Sequence, residues 1–215
     1  MKKLYLVLFL LVAGFSVMAQ GNDPEAKKIL DAVSAKFKTF KSVKANFTYK
    51  VENASGKVLS TKTGNIQMKG TKYRVSFGGQ EIFCDGKTVW NYDKAANEVT
   101  VSSLDASGGT ITPQKLFTNF YDSDFLYKLN GEKKVGNKVM QEIETTPTDK
   151  SKPFHKVFLT VDKSAKTISS TRVLENTGNR YVYSVTSMNT TTDIPDNQFV
   201  FDKSKYPGVE VVDLR

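Results

Sequence analysis

Apolar and polar positions along the first part of the chain follow two different periods. Between residues 24 and 40 the apolar positions recur every three or four residues, which predicts an amphipathic helix of about five turns. Asn22 or Asp23 can cap this helix, and Pro24 suits its first position. After Lys41 the period changes to two, which predicts a strand with one solvated face.

The alternation returns several times and is interrupted by short turn signals, among them Gly78-Gly79 and Asp85-Gly86. About six strands in about sixty residues leave no room for crossover helices, so we expect an antiparallel sheet. Thr112 and Pro113 then predict a second, short helix inserted in the sheet. The pattern as a whole predicts a mainly β (α+β) domain of about eleven strands. The strands are expected at residues 45–51, 66–68, 73–77, 82–84, 88–92, 98–102, 138–144, 155–162, 167–174 and 180–189, before a tail.

Residues 1–19 have the three parts of a cleavable secretory signal peptide. Lys2 and Lys3 precede an apolar run over residues 4–15, and a small-x-small site ends at Ala19. We therefore expect export, cleavage after Ala19, and a single domain over residues 20–215. A bacterial lipoprotein needs a cysteine directly after its cleavage site, whereas the only cysteine of this chain is Cys84. The protein is thus not expected to be lipidated.

Composition argues against several classes of function. The formal net charge is +9, but the lysines are spread along the chain, so we expect no nucleic-acid partner. Transient contact with an anionic membrane surface is compatible with this charge. His155 is the sole histidine, and Cys84 alternates in phase with Ile82 like a small buried apolar residue. Asp122 and Asp124 are interpreted as solvated turn residues. The sequence therefore predicts neither an enzyme nor a bound metal or cofactor.

Aromatic side chains are concentrated in the predicted helices and in the strands of the first half of the chain. Two interpretations of this concentration stay open. A β domain of this size normally fills its centre with such side chains, but the same residues could line a cavity for an apolar ligand. Composition by itself favours the filled core.

Three segments resemble the LolA family of periplasmic lipoprotein carriers. Residues 42–49 (SVKANFTY) follow the amphipathic helix, and residues 84–92 (CDGKTVWNY) are similar to the DGKTLWxY segment of the family. Within residues 197–211, two phenylalanines and a Pro-Gly-Val sequence resemble the segment that closes the family's chains. The predicted helix within residues 109–120 is placed like the lid helix of the family. The resemblance spans almost the whole exported chain.

The resemblance implies an open, half-closed antiparallel β barrel, covered by the N-terminal helix and the inserted lid helix. It also implies a periplasmic carrier chaperone that binds lipoprotein acyl chains in a hydrophobic cavity and shuttles them from the inner to the outer membrane. The implied partners are an inner-membrane lipoprotein-releasing complex and an outer-membrane acceptor, and the protein is expected to be a monomer. The alternative is a binding module or sensor for another lipid or amphiphile on the same fold.

The resemblance and the strand parity together assign candidate binding residues. Side chains two residues apart share a strand face, so one parity of the first strands is expected to line the cavity. The chain departs from the family at one point, because Gly70 follows Lys69 where well-studied members carry an arginine that couples lid closure to release. Arg74 is the candidate substitute for this latch. The cavity and lid residues are expected to be Phe47, Tyr49, Val51, Ile66, Met68, Tyr73, Val75, Phe77, Trp90, Tyr92, Leu116, Phe117 and Phe120.

Overall fold

One amphipathic helix and an open sheet of twelve strands make up the part of the chain that the computed structural model describes, residues 22–104 and 124–215. The predicted signal peptide lies outside the described residues. So do Asp122 and the predicted lid helix with Leu116, Phe117 and Phe120. The elements are α1 (Pro24–Lys38), β1 (Val43–Glu52), β2 (Val58–Lys69), β3 (Lys72–Phe77), β4 (Gln80–Cys84), β5 (Thr88–Asp93), β6 (Glu98–Ser103), β7 (Phe125–Val135), β8 (Lys138–Pro147), β9 (Phe154–Asp162), β10 (Thr167–Glu175), β11 (Arg180–Asn189) and β12 (Glu210–Asp213).

The strand order is β12-β6-β5-β4-β3-β2-β1-β11-β10-β9-β8-β7. Strands β1 to β6 and β7 to β11 form two meanders of sequential neighbours, and the pairing of β1 with β11 joins them into one sheet. Every pair is antiparallel except β12, which lies parallel to β6. Within the described ranges the end strands β12 and β7 do not pair with each other, so the sheet stays open. The expected fold class is confirmed.

The predicted strands are found, and β7 is an additional strand that the sequence pattern did not indicate. Its second half is rich in lysine and almost fully exposed, so it lacks the alternation of a half-buried strand. Gly131 interrupts it at a φ of +137°, next to a register shift between Leu129 and Gly131. Because β7 is an edge strand, its charged and irregular residues also protect it from pairing with other chains.

The sheet has two faces, which we call the helix face and the back face. The helix face carries α1, whose buried Ala26, Leu30 and Val33 pack on strands β7 to β10. Phe37 and Phe40, at and just after the end of α1, pack over the first strands around a second buried cluster. That cluster consists of Val43, Ala45, Met68, Tyr73 and Cys84.

The C-terminal segment covers part of the back face before it ends in β12. It contains two short 3-10 helices, Asp196–Phe199 and Lys203–Lys205. Phe199 is fully buried, and Phe201 and Tyr206 stack with ring centroids 4.5 Å apart. Phe201, Tyr206 and Val209 build a small third cluster on β4, β5 and β6.

Helix α1 begins at Asp23, one of the two predicted capping residues. Its Oδ1 accepts hydrogen bonds from the backbone N–H groups of Glu25 and Ala26, at 2.9 and 3.4 Å. Its Oδ2 accepts from the N–H of Leu129 on β7 at 2.8 Å, and its own N–H donates to the carbonyl of Tyr127. The same carboxylate therefore caps the helix and attaches it to the edge of the sheet.

We expect Asp23→Ala to lower the free energy of unfolding by about 1–2 kcal/mol at neutral pH, because cap and strand bonds are both lost. The hydrogen bond from Leu129 is the main cause that lowers the pKa of Asp23 below its ordinary value of 3.8. Because the pKa of Asp23 is lower in the folded state, its carboxylate stabilises the fold at pH values above the pKa of the unfolded state. This stabilisation is lost as the pH falls through the pKa of the folded state. Urea unfolding should show a smaller difference in unfolding free energy between wild type and Asp23→Ala near pH 2.5 than at pH 7. A difference that does not depend on pH would contradict this.

Candidate functional site

Helix α1 covers only one end of the helix face. Val43 and Ala45 of β1 are buried beneath it, whereas Phe47 and Tyr49 further along the strand are only partly buried. On β3, Tyr73 lies in the buried cluster and Phe77 at the other end of the strand is partly exposed. Within the described residues, the apolar core thus continues into an open apolar surface.

Five aromatic side chains form a continuous row on this open surface, and we call them the aromatic row. The Tyr49 ring lies 5.1 Å from that of Phe77 and 5.0 Å from that of Tyr183, centroid to centroid. It also stacks on Tyr181 at 5.8 Å with an interplanar angle of 6°. Phe47 extends the row, since its ring lies 5.8 Å from that of Phe77. These distances are typical of favourable aromatic pairs, so the row presents a connected apolar wall.

Gly64 provides the space in which Phe47 lies. Phe47 and Gly64 are direct partners in the pairing of β1 with β2. A Cβ at position 64 would stand 2.4 Å from Phe47 Cζ and 2.9 Å from the backbone oxygen of Ser76. A larger residue would therefore displace the phenylalanine ring, so the missing side chain at Gly64 shapes the row.

The tyrosines of the row have phenols that stay neutral. Burial is the main cause that raises the pKa of Tyr49 to about 12, with smaller contributions from Tyr183, Tyr181 and Glu175. Burial also raises the pKa of Tyr181 and of Tyr183. At neutral pH these hydroxyls therefore remain protonated and can donate hydrogen bonds. The surface is apolar along its rings and has uncharged donors at one end.

The predicted cavity residues of the first three strands share one face, as their parity predicted. Cross-strand pairing aligns them, for example Ile66 with Val75 and Met68 with Tyr73. Met68 and Tyr73 are nearly fully buried in the cluster next to Phe37 and Phe40, so they belong to the core. Ligand binding by these residues stays a prediction. The members found on the helix face are Phe47, Tyr49, Val51, Ile66, Met68, Tyr73, Val75 and Phe77.

The prediction that Trp90 and Tyr92 lie on the same face as the other cavity residues is wrong. In the pairing of β4 with β5, Cys84 of the helix face is opposite Val89, so Trp90 and Tyr92 point to the back face. There Tyr92 is buried and packs against Tyr206, with ring centroids 4.5 Å apart. The C-terminal segment thus provides the apolar partners that these aromatic residues need.

The back face also has a groove, which is lined mostly by polar side chains together with Phe47 and Phe77 of the aromatic row. Its volume is about 560 Å³. Most of its side chains are amides, hydroxyls or charged groups, whereas the aromatic row presents five connected rings, so the row is the better candidate for a lipid site. Its polar lining includes Asn46, Thr48, Thr63, Asn65, Ser76 and Glu81.

Other chemistry is sparse in the described part of the chain. Cys84 is fully buried, as its alternation predicted, and burial is the main cause that raises the pKa of its thiol. His155 lies exposed on β9. No group of three histidine, cysteine, aspartate or glutamate side chains in residues 22–104 and 124–215 could hold a metal ion. Across the same residues, no helix is both long and apolar enough to cross a bilayer.

Residues 38–202 match the family model described as outer membrane lipoprotein carrier protein LolA. The chain belongs to the LolA family. An outer-membrane lipoprotein carrier protein of Cupriavidus necator is 27% identical over 180 residues, which cover 80% of this chain and 82% of that protein. One of Psychromonas ingrahamii is 26% identical over 224 aligned positions, which cover both chains completely.

A solved structure has a similar fold at low sequence identity. It is an uncharacterized conserved protein from Thermus thermophilus, with a TM-score of 0.60 and 15% identity. The alignment covers 88% of this chain and 99% of that chain. At this identity the likeness supports the open sheet as the fold and carries no information on the ligand.

The latch residue suggested by the LolA resemblance is not found on the helix face. Arg74 points to the back face, where its Nη2 lies 2.6 Å from Glu81 Oε2 and its guanidinium stacks 4.6 Å from the Phe83 ring centroid. It also contacts Gln198 of the C-terminal segment. Gly70, at the position where well-studied LolA members carry arginine, forms the β2–β3 turn with a φ of +58°, which strains any residue with a side chain.

Sequence reasoning missed two members of the row, Tyr181 and Tyr183. Their strand β11 was predicted, and both alternate in phase with Val185, which packs against the buried cluster around Val43. This alternation was the available signal. What the pattern lacked was the pairing partner, because the contact with Tyr49 depends on the long-range pairing of β1 with β11.

Proposed function

We propose that this protein is a periplasmic carrier that holds the acyl chains of lipoproteins on the open part of the helix face. Residues 20–215 act as a single domain in this proposal, after removal of the signal peptide. The protein works as a monomer and needs no cofactor or catalytic group. It receives lipoproteins from an inner-membrane releasing complex and delivers them to an outer-membrane acceptor.

The single observation that carries the proposal is the aromatic row, which lies beside the end of the core that α1 leaves open among the described residues. Monomeric proteins seldom expose a connected apolar surface of this kind without a partner. The Tyr183 side chain is 42% exposed, although its strand β11 lies inside the sheet between β1 and β10. A ligand with long apolar chains would cover this surface. Membership of the LolA family favours a lipoprotein as that ligand.

Solvation energy explains why such a carrier is needed. Each CH₂ group removed from water contributes about 0.8 kcal/mol, so exposing a chain of about sixteen carbons costs on the order of 12 kcal/mol. A lipoprotein cannot cross an aqueous compartment at that cost, whereas a protein with an apolar wall can offset it. Ring faces with few polar anchors also allow release, since no strong polar bond must be broken at the acceptor.

The experiment that tests the proposal is depletion of the protein in its own cells, with separation of inner and outer membranes. We expect lipoproteins to accumulate in the inner membrane, because they lose their carrier. Native mass spectrometry of the protein purified from the same envelope should show a bound acylated protein. Re-expression of Phe77→Glu, altered in the aromatic row, should fail to restore lipoprotein localisation. Re-expression of Phe158→Glu, altered on the back face, should restore it and serves as the matched control.

Two results would contradict the carrier proposal. Lipoproteins that stay correctly placed after depletion would exclude the shuttle. Recovery of only a non-protein lipid would favour a binding module or sensor for another amphiphile.

A further inference from the structure

The aromatic row has different chemistry at its two ends. Phe47 and Phe77 have no polar atom and adjoin the aliphatic helix-face residues Ile66 and Val75. Tyr49 and Tyr183, which face each other across the β1–β11 pair, carry phenol hydroxyls. The row therefore runs from two phenylalanine rings to tyrosine rings that carry hydrogen-bond donors.

The hydroxyls of Tyr49 and Tyr183 are available to a ligand. Within residues 22–104 and 124–215 neither hydroxyl makes a hydrogen bond to another protein group, whereas Glu175 lies close enough to Tyr181 to raise the pKa of that phenol. Both hydroxyls remain protonated at neutral pH, because burial raises both pKa values. They can therefore donate to an acceptor that arrives with the ligand.

The charges around these hydroxyls favour an uncharged acceptor. Lys62 is the cross-strand partner of Tyr49 on β2, and Glu175 lies on the β10 side of the row, close enough to Tyr181 and Tyr49 to raise both pKa values. A carboxylate ligand would be attracted by Lys62 and repelled by Glu175. A cationic ligand would be repelled by Lys62 and attracted by Glu175. An ester carbonyl accepts hydrogen bonds and carries no net charge.

We propose that Tyr49 and Tyr183 donate hydrogen bonds to the carbonyl oxygens of ester-linked acyl chains. The ester end of the ligand then lies at the tyrosine end of the row, and the chains extend toward Phe77, Phe47 and the aliphatic residues. This inference rests on the proposed acyl-binding function and adds a ligand class, acyl esters, together with an orientation. Alkyl chains without carbonyl groups fit the same wall but leave both donors unpaired.

The test compares dioctanoylglycerol, a diester, with dioctylglycerol, a diether that has chains of similar length and no carbonyl. Affinities are measured by titration calorimetry on the purified protein. One hydrogen bond contributes about 0.5–1.5 kcal/mol net, so the wild type should bind the diester roughly two- to twelvefold more tightly for each bond formed. Tyr49→Phe and Tyr183→Phe should each reduce this preference, because they weaken binding of the diester and do not weaken binding of the diether.

Tyr206→Phe is the matched control, because Tyr206 lies on the back face and its hydroxyl bonds to Glu81 at 3.4 Å. It should keep the diester preference of the wild type. Thermal unfolding of each variant checks that the fold is retained. Equal wild-type affinities for the two lipids would overturn the ester inference and leave acyl binding intact. Equal weakening of both lipids by Tyr49→Phe would also overturn it, since that indicates packing alone. If neither lipid binds the wild type, the proposed function fails with it.

Discussion

Replacing Phe77 by glutamate should abolish binding of a fluorescent long-chain acyl probe while the protein stays folded. Phe77 contacts both Phe47 and Tyr49, so a carboxylate at this position would stand in the middle of the aromatic row. Covering an unpaired charge with an acyl chain costs several kcal/mol, and the apolar contact of the ring is lost as well. We expect affinity to fall by at least about 100-fold, which corresponds to about 3 kcal/mol. Fluorescence titration measures the change.

The fold should tolerate this substitution because Phe77 is the last residue of β3, is partly exposed and precedes the Gly78-Gly79 turn. Phe158→Glu is the matched control. Phe158 is a partly buried aromatic residue on the back face. Arg172 stacks 4.7 Å from its ring centroid and Glu144 is its cross-strand partner on β8, so the circular dichroism of this control is recorded as well. Probe binding by Phe77→Glu at wild-type affinity would exclude the row as the site. If Phe77→Glu lost the circular dichroism signal of the folded protein, Phe77 would instead be a core residue needed for folding.

Shortening Leu30 to alanine should be the most destabilising single change in α1. Leu30 is 2% exposed and packs in the cluster between α1 and strands β7 to β10. Removing a buried leucine side chain typically costs 2–5 kcal/mol, through lost apolar burial and the cavity left behind, so we expect about 3 kcal/mol here. Urea unfolding followed by circular dichroism gives the free energy.

Lys28→Ala provides the comparison on the solvated side of the same helix, where Lys28 is exposed. Alanine is a good helix former, so the free energy of unfolding should change by less than about 0.5 kcal/mol. If Leu30→Ala cost less than about 1 kcal/mol, the helix would be loosely attached to the sheet. Its covering of one end of the helix face would then not define the open end that we assign to ligands.

Local patterns were enough for the elements whose contacts are local. The spacing of apolar residues predicted α1, and Asp23 was one of two expected caps. The hairpins from β3 to β5 followed from turn residues such as Gly78 and Gly86, which have positive φ. In contrast, β7 was missed because half of it is solvated and charged, and strands of that kind have no periodic pattern.

The candidate site depended on contacts between distant parts of the chain. Parity correctly placed Phe47, Tyr49 and Phe77 on one face, because their hairpins have regular registers. It failed for Trp90 and Tyr92 because the register after Asp85-Gly86 turns them to the other face. The C-terminal segment makes that position favourable by covering them.

The sequence by itself determined the amphipathic helix, the antiparallel meander, the family and the aromatic residues available for a lipid site. The physical reason is that periodicity and turn chemistry report on interactions between near neighbours in the chain. Only the tertiary structure decided that β1 pairs with β11, which brings Tyr181 and Tyr183 to Tyr49, and that α1 leaves this end of the helix face uncovered. Those features depend on which distant surfaces bury each other, and no local pattern encodes that choice.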